Sequence, residues 1–167
     1  MKTEVRILHC IPLIIALILS SGGQMSGQKK ANISFGIGFP ELINVGIKYQ
    51  VSDQTKIGFS IGYWPPSKPG WLGYNNLISL SGDFYYHFGG SSDFPGMRPW
   101  YGRIGLNIIF DLPSDYHILS EDIFLRTGRD IYFDENNGIS LDGGFGVNFY
   151  DYTNLFPAFG ICYFHRF

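Results

Sequence analysis

From Ala31 to the last residue, apolar and polar side chains alternate one by one in segment after segment, and a period of two is the repeat of a β-strand whose faces lie in different media. In the closing stretch FPAFGICYFHRF, Phe159, Ile161, Tyr163, His165 and Phe167 fall on one face, opposite Gly160, Cys162, Phe164 and Arg166. The first such segment, NISFGIGF, sets Ile33, Phe35, Ile37 and Phe39 against Asn32, Ser34, Gly36 and Gly38. A second opposes Ile43, Val45, Ile47, Tyr49 and Val51 to Asn44, Gly46, Lys48 and Gln50, and a third runs Ile57, Phe59, Ile61, Tyr63. The fourth places Ile78, Leu80, Phe84, Tyr86 and Phe88 opposite Ser79, Ser81, Asp83, Tyr85 and His87. In the fifth, Trp100, Ile104, Leu106, Ile108 and Phe110 oppose Tyr101, Arg103, Gly105 and Asn107, and Ile109 breaks the polar side. The sixth, from Ser120 to Tyr132, is the least regular: Ile123, Leu125, Thr127 and Ile131 share a face with Arg129, and Phe124 lies opposite. After the DENNG turn, the seventh carries Ile139, Leu141, Phe145, Val147 and Phe149. No segment has a helical period.

Eight strands of roughly 9–13 residues joined mostly by short turns form a meander, which removes both of its edges by pairing the first strand with the last. The expected fold is all-β, an eight-stranded antiparallel up-and-down barrel.

Ahead of the strands, Lys2 and Arg6 precede an apolar run from Ile7 to Leu19 and then small, polar residues. That run is shorter than the ~20 residues a spanning helix needs and fits the apolar region of a secretory signal peptide. Residues 1–27 are therefore expected to be removed, with cleavage between Gly23 and Lys29, leaving 28–167 as one barrel domain. The whole chain has 12 basic and 14 acidic residues, so without Lys2, Arg6 and Glu4 the mature part carries 10 and 13, a net charge near −3. No basic patch points to nucleic acid. Cys162 is the one cysteine left, so no internal disulfide is expected.

Alternation fits a soluble ligand-binding barrel, apolar inside, as well as a membrane barrel with its faces reversed. The polar face decides between them. It is rich in Gly, Ser and Asn with a few charges of both signs, Lys48, Asp83, Arg103, Arg126, Asp130 and Asp142, while Glu41, Glu121 and Glu135 lie in or beside expected loops. Small residues and sparse charges suit a crowded lumen better than a solvent-facing surface. With odd strands running outward, Phe39, Tyr63, Phe110 and Phe149 fall at an outer rim, and Tyr49, Tyr86, Phe88, Trp100, Tyr163 and Phe167 at an inner one. Two aromatic girdles are expected of a transmembrane β-barrel.

The final strand, with Phe159, Ile161, Tyr163 and Phe167 at alternate positions, resembles the C-terminal signature of small outer-membrane β-barrel proteins of the OmpA/OmpX-like kind. The pattern covers Ala31 to Phe167; the motif itself is confined to the last strand, where His165 departs from it. The resemblance implies an outer-membrane location, lipid as the surrounding medium, and Phe159, Ile161, Tyr163 and Phe167 as an insertion signal read by the outer-membrane assembly machinery. In that class the outward loops are usually the long ones, whereas here FPEL and DYTN are short and the inward GGSSDFPGMRP is long.

Asp83, Arg103, Arg126 and Asp142 come from consecutive strands and are expected to form a neutral lumen network of two acids and two bases, structural in role. YHILSED brings His117 near Ser120, Glu121 and Asp122, the one grouping that could serve a lipid-modifying enzyme, and it is read as a solvent-exposed, non-catalytic loop. There is no HExxH and no zinc-type Cys/His spacing, so neither metal nor cofactor is expected. The expected function is a non-catalytic outer-membrane barrel acting structurally or through surface contacts made by Pro65–Asn76 and Asp111–Ser120, with an unknown extracellular partner. A lipid-modifying barrel enzyme and a soluble exported ligand-binding barrel are the alternatives.

Overall fold

The computed structural model describes residues 31–66, 76–91, 94, 97–111, 117–149 and 154–167, so the expected signal peptide lies outside the described residues. Eight strands follow one another, β1 (Ala31–Phe39), β2 (Leu42–Gln50), β3 (Thr55–Trp64), β4 (Leu77–Phe88), β5 (Trp100–Asp111), β6 (His117–Tyr132), β7 (Asn137–Asn148) and β8 (Asn154–Arg166). Each pairs antiparallel with its sequence neighbours, and β1 with β8 closes the barrel. Hydrogen-bonded partners lead from Ile33 through Ile47, Phe59, Gly82, Leu106, Ile123 and Val147 to Leu155. The β8–β1 register then returns this path to β1 ten residues beyond its start, because the partners Asn32–Arg166 and Phe39–Phe159 extrapolate Leu155 to position 43. With eight strands, a stagger of that size tilts them by about 40–45° from the barrel axis and leaves an interior that side chains can fill.

The outward face is apolar around the whole circumference, including Phe35, Val45, Ile61, Ile104, Leu125, Phe145 and Ile161, all exposed. The inward face holds the polar and charged side chains, with Lys56, Asp83, Arg103, Asp122, Arg126, Asp130 and Arg166 buried. This is the inverse of a soluble barrel.

Two sequence expectations need correction. The sixth strand begins at His117 rather than Ser120 and runs for 16 residues, so the HILSED stretch is strand and not loop. A register shift opposite Ile109 and Phe110 explains why: Ser120 pairs with Ile109 and Ile118 with Phe110, leaving Leu119 as an extra residue that reverses the alternation. Leu119 then packs on an interior apolar cluster of Leu42, Leu77 and Ile109 with Trp64, which accounts for the apolar residue on the polar side of β5. Of the two proposed recognition segments, residues 67–75 and 112–116 lie outside the described residues.

Candidate functional site

The interior is built in levels that the strand register sets. Its middle level joins four strands: Asp83 (β4), Arg103 (β5), Arg126 (β6) and Asp142 (β7). Arg103 grips Asp83 with two parallel bonds, Nε to Oδ1 at 2.9 Å and Nη2 to Oδ2 at 2.8 Å, the bidentate geometry a planar guanidinium allows. Its Nη1 reaches Asp142 Oδ2 at 3.3 Å, and Arg126 Nη1 donates to Asp142 Oδ1 at 3.0 Å. Tyr101 donates its hydroxyl to Asp142 at 3.0 Å. All four sequence-selected residues are thus brought into one cluster.

A fifth member was expected in a loop. Glu41 sits in the β1–β2 turn but is buried, and its carboxylate bridges the two arginines, Oε2 accepting from Arg126 Nη2 at 2.5 Å and Oε1 lying 2.6 Å from Arg103 Nη2. The second contact is an ion pair without hydrogen-bond alignment. The turn is fastened at its backbone as well, since Arg126 Nη2 donates to the Phe39 carbonyl at 2.9 Å and Ser79 Oγ to the Glu41 carbonyl at 2.8 Å. Leu42, which follows, has φ of 66°, a left-handed conformation uncommon for a bulky residue, and its side chain anchors the interior apolar cluster. The expected two-acid, two-base network is therefore larger. Glu41, Asp83 and Asp142 face Arg103, Arg126 and Lys48, whose ammonium lies 4.8 Å from the Tyr85 ring centroid.

Phe124, an irregularity in the sequence pattern, is stacked inside this cluster. Arg126 lies 4.2 Å and Arg103 5.0 Å from its ring centroid, so the ring's electron-rich face is offered to both cations. Beside the charges is a small cavity of about 20 Å³, room for about one water molecule, whose far wall is made of small residues, among them Ser34, Gly38, Gly46, Gly58, Ser60 and Cys162.

Toward the outer end, Asp122 accepts from Ser120 Oγ at 2.6 Å, Asn148 Nδ2 at 3.0 Å and Asn107 Nδ2 at 3.4 Å, and Ser81 donates to Asn107 at 2.6 Å. Ser120 and Asp122 thus belong to an interior polar cluster, not to an exposed loop, and His117 opens β6. Toward the inner end, Asp130 accepts from Ser140 at 2.6 Å and lies 3.7 Å from Lys56 Nζ, while Tyr132 and Phe164 pack edge to face at 5.4 Å. Phe94 of the long β4–β5 connection meets Tyr132 edge to face, with ring centroids 6.3 Å apart, at that mouth.

The residues expected to carry an insertion signal, Phe159, Ile161, Tyr163 and Phe167, share the outward face and are 46–57% exposed. Among the described residues no group of three or more His, Cys, Asp or Glu is arranged to hold a metal ion. Sequence reasoning missed Glu41 because a short turn reads as solvated; its two flanking neighbours, Pro40 and Leu42, were the available hint that it points inward.

No family model matches the chain, and no curated protein does. Among solved structures, the N-terminal β-barrel domain of Pseudomonas aeruginosa OprF is similar, with 21% identity, a TM-score of 0.53, and coverage of 83% of this chain and 99% of that one. Neisserial surface protein A is similar at 14% identity and a TM-score of 0.52, over 83% of this chain and 95% of that one. At these identities the likeness is one of fold: a closed, eight-stranded antiparallel barrel.

Proposed function

We propose that this chain is an integral outer-membrane barrel whose interior is structural and whose outer end makes surface contacts. The observation that carries the reading is the inversion of the barrel: the exposed face is predominantly apolar on all eight strands, while the strand cations other than Arg129 point into the interior with Asp83, Asp122, Asp130 and Asp142. A closed barrel leaves no unpaired edge, which hydrocarbon would not tolerate, so this wall suits lipid as its medium. A passive aqueous pore fits poorly. Glu41, the arginine pair and Phe124 occupy the middle of the lumen, and the Leu42, Leu77 and Ile109 cluster lies toward its outer end. For a lipid-modifying enzyme, the serine would have to stand at the lipid-facing surface, but Ser120 faces the lumen, where its hydroxyl donates to the buried Asp122. Fold similarity to a protein named as a surface protein is compatible with the reading.

The test is reconstitution into lipid vesicles. The inserted protein should run faster on gels before boiling than after it, and give no steady conductance across a planar bilayer. Recovery of a folded protein that ignores vesicles would overturn the membrane reading; a stable open pore would overturn the structural interior.

A further inference from the structure

On the described strands, Lys48, Lys56, Arg103, Arg126 and Arg166 all point inward, and Arg129 of β6 alone points out. It is exposed, forms no ion pair among the described residues, and its guanidinium carbon lies 5.3 Å from the ring centroid of Trp100. The register sets Arg129 in one hydrogen-bonded row with Trp100 and Leu141. That row lies near the inner rim, where Tyr49, Tyr86 and Tyr163 are also outward and exposed. The next row toward the outer end is Gly102, Thr127 and Gly143. A Cβ added to Gly102 or Gly143 would meet nothing within 4 Å, and Thr127 donates its hydroxyl to the Tyr101 carbonyl at 3.3 Å. A shallow dent in the wall therefore runs beside the cation, and Ile104, Leu125 and Phe145 rise above it.

We propose that this face seats a glycerophospholipid of the inner leaflet, with its phosphodiester on Arg129 and one acyl chain along the dent. The proposal rests on the membrane reading above. Charge complementarity selects the occupant. A cation on a lipid-facing wall, without a carboxylate partner among the described residues, is left at headgroup depth, where the anionic group at hand is phosphate, and a planar guanidinium can bind two of its oxygens at once. The Trp100 indole beneath holds the guanidinium against the wall, a common arrangement of an aromatic body with a cation at an interface.

Native mass spectrometry of the refolded protein, supplied with phosphatidylglycerol or with a diacylglycerol that lacks the phosphate, tests this. Wild type should retain one phosphatidylglycerol and no diacylglycerol; Arg129→Gln should lower phospholipid occupancy at least fivefold, Arg129→Lys less. Gly143→Leu, which fills the dent and keeps the cation, should also lower it. Equal retention by wild type and Arg129→Gln, or equal retention of both lipids, overturns the proposal. Should Arg129→Gln not fold, Arg129→Lys and Gly143→Leu decide: wild-type occupancy in both overturns it. The gel shift on boiling, recorded for every variant, separates this outcome from failure of the membrane reading, in which wild type would not insert at all.

Discussion

Replacing Glu41 by Gln keeps the size of the side chain and removes one charge from a buried cluster. In the wild type, three carboxylates, Glu41, Asp83 and Asp142, pair with Arg103 and Arg126, and Lys48 lines the same cavity over the Tyr85 ring; after the change two carboxylates remain for three cations. Each arginine contact of Glu41 is short, 2.6 Å to Arg103 and 2.5 Å to Arg126. A unit pair at that separation is worth about 6 kcal/mol at an effective dielectric of 20, and much of it is offset by the desolvation that a charged side chain bears and an amide avoids. Breaking a buried pair from one side usually costs about 3–5 kcal/mol, and the adjoining cavity, into which water can move, places this site near the low end, about 3 kcal/mol. Against total stabilities of about 5–15 kcal/mol, that is a large displacement of a urea midpoint. The assay is equilibrium unfolding of the refolded protein in micelles, read by tryptophan fluorescence and by gel mobility. Arg126→Met combined with Glu41→Gln supplies the cycle: the double variant should lose less than the sum of the singles, because each single leaves a charge stranded. A loss below about 1 kcal/mol for Glu41→Gln, or additivity in the cycle, would refute the account of Glu41 as the keystone of the interior.

Other changes test other levels of the structure. Gly62→Ala puts a methyl against the Glu41 carbonyl and the Ser79 hydroxyl, and should destabilise by about 1–3 kcal/mol, whereas Gly82→Ala, which meets nothing within 4 Å, should be near neutral in the same unfolding assay. In the β6–β7 turn, the Asn137 side-chain amide and the backbone N–H groups of Asn136 and Asn137 hold the Asp134 carboxyl below the usual carboxylate range. A lowered folded value means that its contribution is present above the unfolded value and lost as pH falls through the folded one, so Asp134→Asn should flatten the acid side of an amide-exchange pH profile for Asn136 and Asn137. Deleting Phe167, whose backbone N–H donates to the Ala31 carbonyl at 2.9 Å and whose ring is exposed, should reduce insertion in cells far more than stability after refolding, since burial of one such ring in lipid is worth only about 1.5–3 kcal/mol. Equal failure in both settings would make it a stability element instead of an assembly signal.

Much of the wall was legible because alternation needs no tertiary context: a residue two positions along a strand returns to the same face whatever the partner strand is. That logic located all eight strands, the inward side of Asp83, Arg103, Arg126 and Asp142, and the outward side of Phe159, Ile161, Tyr163 and Phe167. At β6 it put Phe124 inside and Arg129 outside, against their polarity, and missed the first residues from His117, where Leu119 shifts the phase. Both exceptions depend on partners from other strands: Phe124 is inside because two guanidinium groups lie over it, and Arg129 is outside beside Trp100. Glu41 was illegible for a different reason. Whether a turn stands above the lumen or folds into it depends on how far its hairpin rises against its neighbours, and that height is set by the stagger of all eight strands.

The stagger and the hairpin length together explain the shape of the interior. β1 and β2 have 9 residues each, while β5 has 12, β6 has 16 and β8 has 13, and β8 continues past the last β1 partner, Phe159, to Asn154. The β1–β2 turn therefore ends low in the wall, level enough with the arginines for Glu41 to reach both. At the level of the arginines the bulky interior residues Tyr85, Tyr101, Arg103, Phe124 and Arg126 belong to β4–β6 and the facing half, β8 and β1–β3, carries Ser34, Gly36, Gly46, Gly58, Ser60 and Gly160, whereas Lys56, Phe164 and Arg166 of that half lie toward the inner end. Large side chains on one half require small ones on the other, since an added Cβ at Gly58 would press on the Tyr85 ring at 3.0 Å and one at Gly160 on the Arg126 guanidinium at 3.2 Å. A carboxylate long enough to satisfy two arginines then has to come from the end of the barrel, not from its glycine-rich wall, and the inward turn is the nearest backbone that can bring one. An interior committed in this way to its own charge balance leaves recognition, in the proposed role, to the connections above β3, β5 and β7.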